Sequence, residues 1–240
     1  MSIEKYVALV ESREEHPDPG RADSVAHAVA DRGRATAAGT PQLVGLTVST
    51  PIESLTGTPR ALAVVQAWID TTHDTAEESS PRSLIDALVG DLEVDTSSWR
   101  VEEIVFRAPV EREAAGKDHQ RVNLFGTAFK RDDFGADAFF DYWTNTHAPI
   151  SGAVPGLGGY VVSRVCDAEG PRSDLNTDAF LELWYPDRPT FDAAGASPQQ
   201  AEAWTDVQRY AKTTGEFWIT REDVIVPPPA TGAGTLEHGQ

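Results

Sequence analysis

Phe139, Trp143 and His147 recur at every fourth residue, which on a helix aligns them in one stripe and puts an imidazole beside two large apolar rings. Pro149 predicts the end of that helix, so His147 is expected in its last turn. There the helix dipole favours imidazolium, and a group titrating near neutrality can pass a proton at working pH. The plainer reading of the same residue is a core or capping histidine bonded to a nearby carbonyl.

Strand alternation supplies its partners. Tyr160, Val162 and Arg164 share one face of a strand, and Phe180, Glu182 and Trp184 share a face of the next. If both faces line one interior, Tyr160 and Arg164 join His147 as catalytic candidates, either of them able to stabilise a developing enolate or phenolate oxygen. Asn123, Phe139, Tyr142, Trp143, Glu182 and Trp184 are the substrate-binding candidates. Against this, Arg164 and Glu182 could form a cross-strand ion pair on a solvated face. Trp184 and Trp218 also read as core, because Trp68 and Trp99 recur in the half that lacks the histidine.

Other signals mainly exclude. Cys166 is the only cysteine, so an intramolecular disulfide and a cysteine-based zinc site are both ruled out, and nothing adjacent in sequence would activate it. Gly156-Leu157-Gly158-Gly159 precedes a strand, whereas a dinucleotide fingerprint stands between a strand and a helix. Without a Gly-x-Ser-x-Gly elbow, nucleophilic catalysis has little support. His16-Pro17-Asp18 and His73-Asp74 sit in polar loops without three-ligand spacing, so neither a metal site nor a cofactor is expected.

The elements that must hold these residues come in two matching series. The first half reads as strand 4–12, helix 23–38, strands 43–52 and 62–70, helix 81–89 and strand 99–107. The second half reads as strand 122–130, helix 136–147, strands 160–166 and 180–185, helix 199–212 and strand 217–226. Gly45-Leu46-Thr47-Val48 aligns with Gly159-Tyr160-Val161-Val162, Trp68 with Trp184, and Trp99 with Trp218. The β-α-β-β-α-β order predicts an α+β fold of two tandem ferredoxin-like repeats, 1–112 (degenerate) and 121–226, followed by a flexible tail, 227–240. Each unit leaves one sheet face bare, and packing sheet to sheet within the chain as an intrachain α+β barrel would bury both.

Within the second repeat, Phe129-Lys130-Arg131 leads to Phe139-Phe140-Asp141-Tyr142-Trp143, then Thr146-His147-Ala148-Pro149, Pro155-Gly156-Leu157 and Tyr160. Further on come Glu182-Leu183-Trp184, Phe191 and Ser197-Pro198. This series, spanning 121–226, resembles the EthD family of dimeric α+β barrel proteins. The first half departs from it, since the position matching His147 falls near Gly33 and no His-x-Pro stands there. The resemblance implies a superfamily that includes cofactor-independent dehydratases, polyketide cyclases, lactone isomerases and monooxygenases, with haem-binding branches in which His147 would be an axial ligand. The expected activity is therefore cofactor-independent acid-base chemistry on a small hydrophobic, aromatic or polyketide-like molecule, of the dehydratase, cyclase or isomerase type. A non-catalytic binding or accessory protein and a cofactor-free monooxygenase are the alternatives.

The net charge of −18 over 240 residues argues against nucleic acid and anionic membranes as partners. With no signal-like start and no apolar run long enough to span a bilayer, a cytoplasmic protein is expected. It would be either a monomer with an intrachain pseudo-dimer or a homodimer.

Overall fold

The computed structural model describes residues 2–14, 17–18, 20–56, 60–73, 81–109, 121–171 and 177–229. His16, Asp74, residues 113–120 between the two expected repeats and most of the expected tail lie outside them.

The described residues form eight strands and six α-helices: β1 (Ile3–Ser12), α1 (Arg21–Ala37), β2 (Leu43–Ser54), β3 (Ala61–Asp70), α2 (Pro81–Val89), β4 (Val94–Arg107), β5 (Val122–Ala128), α3 (Ala136–Tyr142), α4 (Ala148–Gly152), β6 (Gly159–Glu169), β7 (Ala179–Tyr185), α5 (Arg188–Gly195), α6 (Pro198–Val207) and β8 (Phe217–Val226). All strand pairs are antiparallel, in the closed order β1-β3-β2-β8-β5-β7-β6-β4. The strand order within each half is last, first, third, second.

The halves do more than face each other, as packing sheet to sheet would require. Their edges hydrogen-bond, β2 to β8 and β4 to β6, so the backbone donors and acceptors of all four edge strands are satisfied and one barrel closes. Both surfaces of each sheet are consequently covered, which explains why β3 is buried almost from end to end instead of alternating.

Inside the barrel, Trp99, Phe125, Phe180 and Trp218 pack ring against ring, each at most 1% exposed. Beside them lies a polar layer. Lys5 Nζ reaches Glu182 Oε1 at 3.1 Å, Ser163 Oγ at 3.1 Å and Glu103 Oε1 at 3.4 Å, and Gln66 Nε2 donates to Glu182 Oε2 at 3.0 Å. An unpaired carboxylate there would carry a large desolvation cost, so the lysine and glutamine neutralise and saturate it.

Outside the barrel the halves diverge. Helix α1 brings small residues to the sheet, Val25, Ala26, Val29, Ala30 and Gly33, and sits directly upon it. Helix α3 brings Phe139 and Phe140, followed by Trp143. Glycine has one clear task in both halves. A Cβ at Gly45 would meet Trp68 Cε3 at 3.0 Å and Pro228 Cα at 3.0 Å, and one at Gly159 would meet Trp184 Cε3 at 2.9 Å and Pro109 Cα at 2.8 Å. In each case the strand must pass beneath an indole and a proline that follows the last strand.

Pro149 does not end the helix at His147. Residues Trp143–His147 form a π turn in which the Ala148 amide donates to the Trp143 carbonyl, and the helix runs on to Gly152. Proline lacks the amide that a regular continuation would use, and it stands in the first turn of α4, where that amide has no helical partner to lose.

Candidate functional site

His147 is buried at 5% exposure, with both ring nitrogens engaged. Its Nδ1 lies 3.0 Å from Asp206 Oδ2 on α6, and its Nε2 lies 2.7 Å from Ser151 Oγ, one turn along on α4. The Tyr160 phenol on β6 stands on the same cavity wall as Ser151 and accepts from Trp143 Nε1 at 2.6 Å. Asp206 is fixed on its other oxygen by Tyr142 OH at 2.9 Å, with Arg209 at 3.6 Å.

An indole N–H can only donate and an ionised carboxylate can only accept, so Tyr160 accepts from Trp143 and His147 Nδ1–H donates to Asp206. With burial favouring the neutral imidazole, its proton stays on Nδ1 and Ser151 donates to the basic lone pair on Nε2. Burial pushes the His147 pKa below its ordinary 6.5, and the Asp206 carboxylate opposes that shift. Burial drives the Tyr160 phenol well above its ordinary range, so it keeps its proton and serves as a donor.

These groups border a cavity of about 390 Å³ between the outer face of the second-half sheet and its helices. Leu124, Leu181 and Leu183 form its floor, and Trp143, Ala203 and Val207 form its roof. At its border stand Leu55 and Thr56 from the first half, tied to β8 where the Leu55 amide donates to the Phe217 carbonyl and the Phe217 amide to Thr56 Oγ1. The partly exposed Trp204 joins them. Such a volume suits a small molecule of one or two rings, held mainly by apolar contact.

The structure divides the candidates read from sequence into two groups. His147, Tyr160 and Trp143 meet at the cavity, with Phe139 packed behind on Tyr210 and Tyr142 reaching the site through Asp206. Arg164 does not join them, since its guanidinium pairs with Asp137 at 2.8 Å and lies over the Phe140 ring. Glu182, Trp184 and Asn123 point to the barrel side of the sheet, where Glu182 pairs with Lys5 and Asn123 Nδ2 stands 3.5 Å from Glu222. The expectation that the Tyr160 face and the Glu182 face line one chamber is thereby corrected. The two faces lie on opposite sides of the sheet, so no Arg164–Glu182 pair forms either, and the chamber with the imidazole at its wall is outside the barrel. An axial haem role for His147 also fails to fit, because it requires a free ring nitrogen.

Ser151 and Asp206 were not singled out from sequence. Ser151 had a signal, lying four residues beyond His147, but Pro149 was read as breaking that stripe. Asp206 had none, because its closeness to His147 arises only when α6 packs against the π turn.

Residues 131–214 match the family model of the EthD domain. Among solved structures, an anthrone oxidase-like protein superposes with a TM-score of 0.60 at 12% identity, covering 93% of this chain and 97% of that one. A candidate monooxygenase of Fusobacterium nucleatum subsp. nucleatum gives 0.57 at 10% identity, covering 92% of each chain. One of Lactobacillus acidophilus NCFM gives 0.52 at 9% identity, covering 95% and 98%. At such identities these likenesses speak for the barrel fold alone. A search of curated proteins found no match. No helix among the described residues is long and apolar enough to cross a membrane. His147, Ser151, Tyr160 and Asp206 all lie within the stretch, residues 131–214, that matches the EthD domain.

Proposed function

We propose that the chain is a duplicated ferredoxin-like unit, residues 1–112 and 121–226, in which only the second copy works. That copy is a cofactor-independent enzyme acting by general acid-base chemistry on a small hydrophobic, aromatic or polyketide-like molecule, in a dehydration, cyclisation or isomerisation. The observation that carries this reading is the Ser151–His147–Asp206 series, with the Trp143–Tyr160 pair beside it, along the wall of an apolar cavity.

The step common to these reactions is removal of a proton from carbon next to a carbonyl. That proton passes through the Ser151 hydroxyl onto His147 Nε2, while Asp206 holds the imidazolium that results. Tyr160 donates to the carbonyl oxygen as it becomes an enolate, in a site dried by Trp143, Leu181 and Leu183. The same hydroxyl returns a proton at a second carbon in an isomerisation, or to a departing hydroxyl in a dehydration.

Deuterium uptake by 2-tetralone in D2O tests the reading without knowledge of the natural substrate. The wild-type chain should speed exchange above the buffer rate, and His147→Gln should return it to that rate; equal exchange by both proteins would refute it. Cofactor-free oxygenation is a second reading, favoured by the largely apolar lining. Oxygen uptake with an electron-rich phenol would reveal it.

A further inference from the structure

We infer that Ser151 is also a nucleophile, and that the cavity hydrolyses esters or lactones of small apolar acids through an acyl-serine intermediate. This rests on the same site as the proton-transfer reading but asks something different of it, namely a covalent bond to protein. Three features support it. The Ser151 hydroxyl donates to a neutral imidazole at 2.7 Å, the other nitrogen of that imidazole is held by a buried carboxylate at 3.0 Å, and the serine is itself on the cavity wall and only partly buried. Nucleophile, base and orienting group in that relation are what activates an otherwise inert hydroxyl. The arrangement is built on consecutive helical turns, with no Gly-x-Ser-x-Gly elbow, so it is recognised by geometry and not by motif.

The remaining requirement is a donor for the oxyanion. Tyr160 lines the same cavity wall as Ser151, and its hydroxyl accepts from Trp143, which leaves its own proton available to an acceptor in the cavity. When Ser151 Oγ bonds to the carbonyl carbon, that proton would turn to the oxyanion formed beside it. The Trp143 N–H on the phenol oxygen strengthens Tyr160 as a donor. In the first step Ser151 Oγ bonds to the carbonyl carbon, and its proton moves to His147 Nε2. As the ester C–O bond breaks, that proton passes to the departing alkoxide and an alcohol leaves. In the second step water gives a proton to His147 and attacks the acyl carbon; the acid departs and Ser151 recovers its proton. Leu124, Leu181, Leu183 and Phe191 would hold an apolar acyl chain or ring, while Trp204 and Leu55 at the border limit its length.

The test treats the full chain with an alkyl fluorophosphonate and maps the adduct by peptide mass spectrometry, beside hydrolysis of p-nitrophenyl butyrate. The expected result is one phosphonyl group on Ser151, its rate reduced at least 100-fold in His147→Gln, with ester hydrolysis lost in parallel. Ser151→Cys covers the case of an unstable histidine variant: iodoacetamide should alkylate Cys at 151 faster than the exposed Cys166 below neutral pH. An adduct on another residue, no adduct at all, or a position 151 thiol no more reactive than Cys166 overturns the inference. Tetralone exchange that persists while Ser151 stays unlabelled would sink the nucleophile and leave the proton-transfer reading standing. A wild-type chain that shows neither activity would sink both.

Discussion

The two halves share a strand order and a glycine-under-tryptophan packing detail, yet the second has a cavity on its helix side where the described residues of the first pack as a buried apolar cluster. Counting from Gly45 and Gly159, Leu46 stands where Tyr160 does and Gly33 stands near the place of His147. Aligning the prolines that begin α2 and α6 sets Val89 against Asp206. The positions matching Tyr160, His147 and Asp206 are thus aliphatic or bare in the first half. Gly33 is so close to Leu46 that a Cβ there would come within 2.9 Å of its Cδ2, so α1 lies directly on the sheet. In the second half, Phe139, Phe140 and Trp143 hold the helix off the sheet, and the π turn widens it where His147 enters. The first half devotes its interior to packing, while the second gives up packing for a chamber and polar groups that must be satisfied one by one.

That contrast can be broken at several points. The largest effect should come from His147→Gln, which should lower tetralone exchange by about 10²–10⁴-fold with the fold intact by circular dichroism. Asp206→Asn leaves the base in place but loses the acceptor that fixes its tautomer, and a fall on the order of 10²-fold is expected in the same assay.

Next come two matched insertions read by urea denaturation. Gly33→Leu drives a side chain into Leu46 and should cost about 1–3 kcal/mol. Ala203→Leu grows into the cavity instead, so its cost should stay below about 1 kcal/mol while exchange activity falls. Equal destabilisation by both would erase the distinction between the halves.

The smallest effect is on the pH dependence of stability. Because His147 has a folded pKa below its unfolded 6.5, the unfolded chain binds the proton first as the solution is acidified. Its contribution should therefore hold above that pH and decline as pH falls below it. The urea midpoint of wild type should drop more steeply there than that of His147→Gln.

How far the sequence reached follows from the same physics. Alternation showed that Tyr160, Val162 and Arg164 share a face, and that Phe180, Glu182 and Trp184 share another. It could not show which side each face takes, because in a barrel wrapped by helices both sides are buried and hydropathy no longer separates them. His147 stood out because an imidazole among aromatic rings at helical spacing is unusual, and its burial against Trp143 and Tyr210 agrees with that spacing. Ser151 was hidden by Pro149, which a π turn tolerates and a regular helix would not. Asp206 is far from His147 along the chain and is joined to it only by tertiary packing. Helix α5 precedes the expected helix 199–212 and has no counterpart among the expected elements; it is capped by Asp187, whose side chain accepts from the Thr190 amide at 2.8 Å.

The most direct test is where a small aromatic ligand binds. A crystal grown with 2-naphthol should place its ring between Leu181, Leu183 and Val207, with its oxygen within hydrogen-bonding distance of Ser151 or Tyr160. A ring found instead among Trp99, Phe125 and Trp218 inside the barrel, or a cavity that stays empty at saturating ligand, would contradict the assignment of the working site to the helix side of the second half.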